Sequence, residues 1–157
     1  MVIYSMDILY FFILLLSFLF FCYLSWQDIK TQQISRNLTI LILLILVFYS
    51  LGNLFFFNYE KGFDSLLGGL TLGFFFLFCL IITKEKSIGL GDVYLIMVMG
   101  LLVGLQNIFF ALSMVVFSAL LFTIIRYRKI DLKQKIPLVP FITFGTFFVV
   151  IFEYFLK

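Results

Sequence analysis

At residues 89–125 the chain contains the segment GLGDVYLIMVMGLLVGLQNIFFALSMVVFSALLFTII. From Val93 to Ile125 it has no Asp, Glu, Lys or Arg. An α-helix rises ~1.5 Å per residue and the hydrocarbon core of a bilayer is ~30 Å thick, so this run is too long for one crossing. It must cross, turn and return, and Gly104 to Asn107 can form the turn. We therefore predict two membrane helices here, at residues 92–103 and 108–125.

The composition of the whole chain also indicates that the protein lies in a lipid bilayer. Apolar residues make up 64% of the 157 residues and charged residues only 12%. A water-soluble domain of this size cannot bury so much apolar surface, so we expect an integral membrane protein embedded in a lipid bilayer. Only α-helices fit this pattern in lipid, because their backbone polar groups are satisfied within each segment. No feature indicates a nucleic-acid partner.

The other long apolar runs predict four more membrane helices, at residues 8–26, 38–57, 65–83 and 137–156. The first run has no preceding Lys or Arg and no following cleavage site of small residues, so a membrane helix is favoured over a signal peptide. Residues 1–157 are thus expected to form a single all-α polytopic domain with about six transmembrane helices.

The cations of the loops predict an orientation. Nine of them lie between helices one and two, three and four, or five and six. These are Lys30, Arg36, Lys84, Lys86, Arg126, Arg128, Lys129, Lys133 and Lys135. Only Lys61 and Lys157 lie on the opposite side. Because positively charged loops stay in the cytoplasm, both termini are expected on the non-cytoplasmic side of the plasma (inner) membrane.

Few chemically active side chains are present. The chain has no His, and both Cys22 and Cys79 fall inside apolar runs. This excludes a zinc site of the Cys/His type and a Ser-His-Asp triad. Carboxylates are therefore the main reactive side chains that remain. Neither a metal nor a cofactor is expected.

Two aspartates are predicted at the same depth, near the cytoplasmic boundary. Asp28 follows the first apolar run, and Asp92 precedes the fourth. Each has a structural alternative: Asp92 can cap a helix N-terminus, and Asp28 can be a polar flank of a span. Gly89 and Gly91 either form a simple turn or let the backbone approach a ligand closely. From the pattern alone, Asp28 and Asp92 are two carboxylates that can face each other.

Three segments together resemble the type IV prepilin peptidases, membrane aspartyl proteases with a GxGD motif. Gly89-Leu90-Gly91-Asp92 matches that motif. Asp28 to Thr39 resembles the segment around the family's first aspartate, although Ser35 and Arg36 stand where Pro and Asn are usual. Residues 136–145 resemble the last-helix segment. Tyr94 replaces a frequent Lys. The chain is similar to short members that lack the methyltransferase-linked N-terminal domain, so no methyltransferase activity is expected.

The resemblance implies cleavage of the leader peptide of a prepilin-like membrane-inserted precursor, with Asp28 and Asp92 catalytic and Gly89 and Gly91 near the substrate. One carboxylate would act as base and the other as acid. Asp92 is predicted at the start of a helix, where partial positive charge favours the ionised form, and Asp28 at the end of one, where partial negative charge favours the protonated form. Helix dipoles therefore favour Asp92 as the initial base and Asp28 as the initial acid. The alternatives are a non-catalytic scaffold of a pilus or secretion system and a small proton-coupled transporter.

Overall fold

A computed structural model describes residues 2–83, 89–127 and 137–156, with side chains for 9–83, 89–125 and 137–153. Within these residues the regular structure consists of helices alone, which confirms the predicted all-α class. The helices are α1 (Val2–Thr31), α2 (Arg36–Gly52), α3 (Tyr59–Thr83), α4 (Leu90–Val103), α5 (Ile108–Tyr127) and α6 (Val139–Leu156). A π-helical turn, Asn53–Phe57, continues α2.

Four of these helical segments are long and apolar enough to cross a membrane: Leu9–Thr31, Arg36–Phe57, Tyr59–Thr83 and Ile108–Ile125. Two shorter apolar helices, Leu90–Val103 and Val139–Glu153, accompany them. Many large apolar side chains on the long helices are exposed on the outside of the bundle. Such an apolar outer surface suits contact with lipid.

The long uncharged run is interrupted at Gly104. Helix α4 ends at Val103 and α5 begins at Ile108. Gly104 has a φ of 76°, a conformation that side chains with a Cβ rarely adopt, so a glycine is needed at this turn. The turn is held by Asp64 of α3, whose carboxylate accepts a bond from the N–H of Gln106 at 3.2 Å.

Helix α1 continues beyond the predicted span of residues 8–26. It ends at Thr31, and Gln32 follows in the left-handed region at φ 51°. The Gln32 N–H donates to the Asp28 carbonyl at 2.9 Å, which closes the last helical turn. Asp28 therefore belongs to the rigid end of the helix, with its side chain direction fixed by the helix.

Helix α4 is the inner helix of the bundle. It contacts α2, α3, α5 and α6. Its buried residues do not follow one stripe but occur all round the helix; they are Val93, Leu95, Ile96, Val98, Met99, Gly100, Leu101 and Val103. This all-round burial shows that neighbouring helices enclose α4. Asp92, in its first turn, is the one acidic residue of this helix.

Glycines bring α3 and α4 into direct backbone contact. A Cβ added to Gly100 would lie 2.5 Å from the carbonyl oxygen of Gly68, and a Cβ on Gly68 would in turn meet the backbone of Gly100, Gly104 and Leu105. The Ser65 hydroxyl donates to the Leu101 carbonyl at 2.5 Å beside this contact. Small residues allow such close approach between helices in membranes, where apolar burial alone does not hold helices together.

Two segments that carry most of the predicted cytoplasmic cations lie outside the described residues. They are residues 84–88 and 128–136. Helix α6 begins at Val139, two residues after the predicted span, because Pro137 and Leu138 precede its first turn. Pro140 lies inside that turn, where its missing N–H costs little.

We expect Gly68→Ala to lower the free energy of unfolding by about 1–3 kcal/mol, because the added methyl group meets backbone atoms that no side-chain rotation can move away. The matched control is Gly52→Ala, since nothing lies within 4 Å of a Cβ at Gly52. Thermal unfolding in detergent, followed by circular dichroism, compares the two. Equal midpoints for both variants would contradict the backbone contact.

Candidate active site

Asp28 is buried and binds the start of the last helix. Its side chain is 6% exposed. The N–H of Val139 donates to Asp28 Oδ2 at 3.0 Å, and the backbone of Leu138 also hydrogen-bonds to the carboxylate. The first N–H groups of a helix have no partner within the helix, so Asp28 supplies one for α6. This bond joins residues 111 positions apart in the chain.

Asp92 lies in the first turn of α4 and is half-buried. Gly89 is the N-cap residue of the helix, with an extended φ of −89°, and Asp92 occupies the third helical position. The N–H of Gly89 donates to Asp92 Oδ2 at 3.0 Å. The structural alternative for Asp92, capping of the helix N-terminus, is therefore met from the third helical position and not from the N-cap position itself. Its carboxylate does satisfy an N-terminal N–H, as capping requires, but it does so from inside the helix.

The two carboxylates lie at the same end of the bundle. Burial has the largest effect on Asp92, and repulsion from Asp28 adds a smaller one. Each carboxylate is held by backbone N–H groups of a helix start, Asp28 by α6 and Asp92 by α4. Since a helix N-terminus carries partial positive charge, these bonds offset part of the cost of burying each carboxylate. The structure thus brings two restrained acidic groups together at one end of the bundle.

A third contact joins the loop after α1 to the glycine segment. A Cβ on Gly91 would lie 3.4 Å from Cβ of Ile34. Parts of three separate segments therefore meet at this end: residues 28–34, residues 89–92 and residues 138–139. These are parts of the three segments in which the sequence resembles a known family.

Neither glycine of the segment has a backbone conformation that demands glycine. Gly104 is the glycine with a positive φ among the described residues, whereas Gly89 is extended and Gly91 is helical. A Cβ on Gly89 would meet the Asp92 Oδ2 atom at 3.5 Å, an ordinary contact distance. The turn thus does not explain either glycine. At Gly89 the missing side chain leaves space beside the Asp92 carboxylate, whereas at Gly91 it faces Ile34.

Sequence reasoning missed the contact between Asp28 and α6. The helix-end argument considered only the helix to which each aspartate belongs, and it placed Asp28 at a negative helix end. The start of α6 adds a positive end at the same carboxylate. Helix ends therefore no longer distinguish the roles of Asp28 and Asp92. The two prolines, Pro137 and Pro140, mark a helix start and are the only signal of it in the sequence.

Gln27, next to Asp28, has an amide oxygen that is buried without a hydrogen-bond partner within the described part of the chain.

At the opposite end of α1 lies a separate cavity of about 520 Å³, whose polar lining includes Tyr10, Asn53, Lys61 and Asp64. It contains neither Asp28 nor Asp92. Among the residues with described side chains, no three His, Cys, Asp or Glu groups lie together as metal ligands would.

Comparison with known families gives a match over most of the chain. The pattern of the type IV leader peptidase family matches residues 13–152, which include all three converging segments. The chain belongs to the type IV leader peptidase family. The resemblance found in the sequence is thereby confirmed, and membership implies peptidase activity in a membrane protein. No curated protein and no solved structure matches the chain in the corresponding comparisons.

We expect Asp28→Leu to lower the thermal midpoint of the protein in detergent, whereas Asp28→Asn leaves it nearly unchanged. The amide oxygen of Asn can still accept the Val139 N–H, but Leu leaves this buried donor unpaired, at a cost of about 1–3 kcal/mol. Hydrogen exchange of the amides at residues 138–139 provides a local readout, with faster exchange expected in the Leu variant alone. Equal exchange in both variants would contradict the bond.

Proposed function

We propose that this chain is an aspartic-type endopeptidase that removes the leader peptide from prepilin-like precursors, with Asp28 and Asp92 as its catalytic residues. The observation that carries the proposal is that the three segments which hold Asp28, Asp92 and the start of α6 meet at one end of the bundle. The family supplies the reaction class, a peptidase acting on leader peptides. The residue roles follow from the geometry and from the chemistry of carboxylate pairs.

Two carboxylates in close proximity favour a state in which one proton is shared by the pair, because both cannot ionise at low cost. The ionised group takes a proton from water as the water attacks the scissile carbonyl. The protonated group hydrogen-bonds to the carbonyl oxygen and afterwards gives a proton to the leaving amine. Both groups are needed in every cycle, and the pair titrates as a unit, so the proposal assigns no fixed starting role to either.

The hydrogen bonds at the site fit this chemistry. A carboxylate has two oxygens with about four lone-pair positions. The bonds from Val139 and Gly89 therefore fix the orientation of Asp28 and Asp92 and leave acceptor positions for water and substrate. Because the donors are backbone groups of two helices, the site is preorganised before a substrate binds.

Gly89 and Gly91 have a proposed role in substrate approach. Since their backbone conformations are accessible to other residues, the missing side chains are the feature that remains to be explained. An extended peptide that reaches Asp92 must pass close to this backbone. We propose that the glycines keep the space beside Asp92 open for the strand around the scissile bond.

The proposed topology has six membrane-spanning helices, both termini on the non-cytoplasmic side, and the site at the cytoplasmic boundary of the plasma membrane. Loop cations support this orientation. Helix α4 has 14 residues and so rises only about 21 Å, less than the ~30 Å of hydrocarbon. In this topology Asp92 would lie slightly below the membrane surface, at the depth where the apolar helix of a precursor begins.

We expect Asp28→Asn and Asp92→Asn each to reduce cleavage of a co-reconstituted prepilin-like precursor by about 10²–10⁴-fold, because each removes a group that transfers protons. Asn preserves the hydrogen bond from Val139 or Gly89, so both variants should remain folded. The assay follows release of the leader peptide by mass spectrometry.

Glu60→Gln serves as the matched control, since it also neutralises an acid but lies in the first turn of α3, away from the site. It should cleave at the wild-type rate. Wild-type cleavage by either Asp variant would overturn the dyad. If all forms, including wild type, leave the precursor intact but support assembly of a pilus or secretion system, the protein is a scaffold instead.

The topology is tested by labelling single cysteines in right-side-out membrane vesicles. In a Cys22→Ser/Cys79→Ser background we expect Asn58→Cys, between α2 and α3, to react with a membrane-impermeant maleimide added outside. Gln33→Cys, between α1 and α2, should react only after the vesicles are opened. The reverse pattern would place the site on the non-cytoplasmic side.

A further inference from the structure

We propose that a groove between α1 and α6 binds the apolar helix of the precursor and thereby positions its scissile bond at Asp28 and Asp92. This inference rests on the proposed function and names the surface that recognises the substrate. The groove is open to the outside of the bundle and has a volume of about 570 Å³. Its walls include three side chains from each helix: Phe18, Cys22 and Ile29 from α1, and Pro140, Thr143 and Phe147 from α6.

One end of the groove lies next to the proposed site. At one end it is lined by Ile29 and Pro140. Ile29 follows Asp28 in the chain, and Pro140 follows Val139, whose N–H binds the Asp28 carboxylate. An occupant of this end would therefore contact the chain neighbours of Asp28 and Val139, on the same two helices.

The groove continues away from the site along one face of α1. Phe18, Cys22, Ser25 and Ile29 are spaced by three or four residues and so share a face. From Phe18 to Ile29 this face rises about 16 Å, or three helical turns. That length matches the first turns of an apolar helix that begins at the membrane boundary.

The two hydroxyl groups in the groove are already paired. Ser25 and Thr143 hydrogen-bond across it, with 2.8 Å between their hydroxyl oxygens, and the Thr143 hydroxyl is also 2.8 Å from the Val139 carbonyl, to which it can donate. The floor at this point consists of small side chains, Cys22, Ser25 and Thr143, flanked by aromatic rings. Small residues let a third helix approach closely, and aromatic walls supply dispersion contacts to it.

Two arguments favour the precursor helix over a lipid acyl chain as occupant. The first is position: a leader peptide is cut next to the apolar helix, and one end of the groove lies at Ile29 and Pro140, the chain neighbours of Asp28 and Val139. The second is charge: we expect a short basic leader before that helix, and the acidic Asp28 lies next to this end of the groove without lining it. An acyl chain uses neither feature.

Cys22→Trp tests the groove because Cys22 is exposed and lines it, so a larger side chain fills the groove without disturbing the core. We expect the KM for a full-length precursor to rise about tenfold, equivalent to ~1.4 kcal/mol of lost binding. Leu19→Trp is the matched control, since Leu19 is also on α1 and 60% exposed but does not line the groove. Its KM should equal that of wild type.

A truncated precursor identifies which part of the substrate the groove binds. Shortening the apolar helix to its first turn should raise KM for the wild-type enzyme. The same truncation should add little to the effect of Cys22→Trp, since both changes remove one interaction and their effects are then not additive. Full additivity of the two effects would overturn the proposal.

Cross-linking provides a readout that does not depend on cleavage. In the Asp92→Asn background the precursor stays intact, and Cys79→Ser leaves Cys22 as the single thiol. A short bismaleimide should link Cys22 to precursor cysteines placed along its apolar helix, with maxima every three to four positions. The matched enzyme with Cys22→Ser retains only Cys79, which is on α3 and outside the groove, and should link weakly.

Each result decides between the alternatives. Equal linkage through Cys22 and Cys79, or no linkage through Cys22, would overturn the groove. An unchanged KM in Cys22→Trp, with loss of co-purified lipid from the variant, would assign the groove to an acyl chain. In both cases wild-type cleavage would persist, whereas failure of the proposed function itself would appear as no cleavage by the wild-type enzyme.

Discussion

Direct contact between the backbones of α3 and α4, at Gly68 and Gly100, holds the inner helix of the bundle in place. Helix α4 has no polar face that water could stabilise, so its position is determined by the helices around it. The contact fixes its height and its rotation, because two backbones in contact have no flexible side chains between them. The location of Asp92, one turn into this helix, follows from packing near the opposite end.

Asp28 combines a structural and a proposed chemical role. Its bond to Val139 ties the first helix to the last, and its charge interacts with Asp92. A buried carboxylate is unfavourable unless it is hydrogen-bonded, and the start of α6 provides those bonds. Among the residues whose side chains are described, no cation forms an ion pair with Asp28, so the hydrogen bonds restrain the acid without neutralising it there.

The sequence predicted those features that depend on local physics. The division of the uncharged run near Gly104 followed from bilayer thickness, and the structure confirms it. The common membrane level of Asp28 and Asp92 was inferred from loop charges and stays a prediction. Contacts between distant segments were not predictable in this way. Nothing in the residues around Asp28 indicates Val139, and nothing around Gly91 indicates Ile34. Three segments that resemble one family did suggest a common site, but only the structure gave their contacts.

The start of α6 connects substrate recognition with the state of the carboxylate. Val139 donates to Asp28, Pro140 lines the groove, and Thr143, one turn later, bonds both Ser25 of α1 and the Val139 carbonyl. A helix that binds in the groove would press on the same turn of α6 that orients Asp28. Binding of the apolar helix and alignment of the acid would then be a single event, because one short helical turn supplies the contacts for both. Such coupling would let the enzyme select a precursor by the position of its helix in the membrane, with little need to read the residues around the scissile bond.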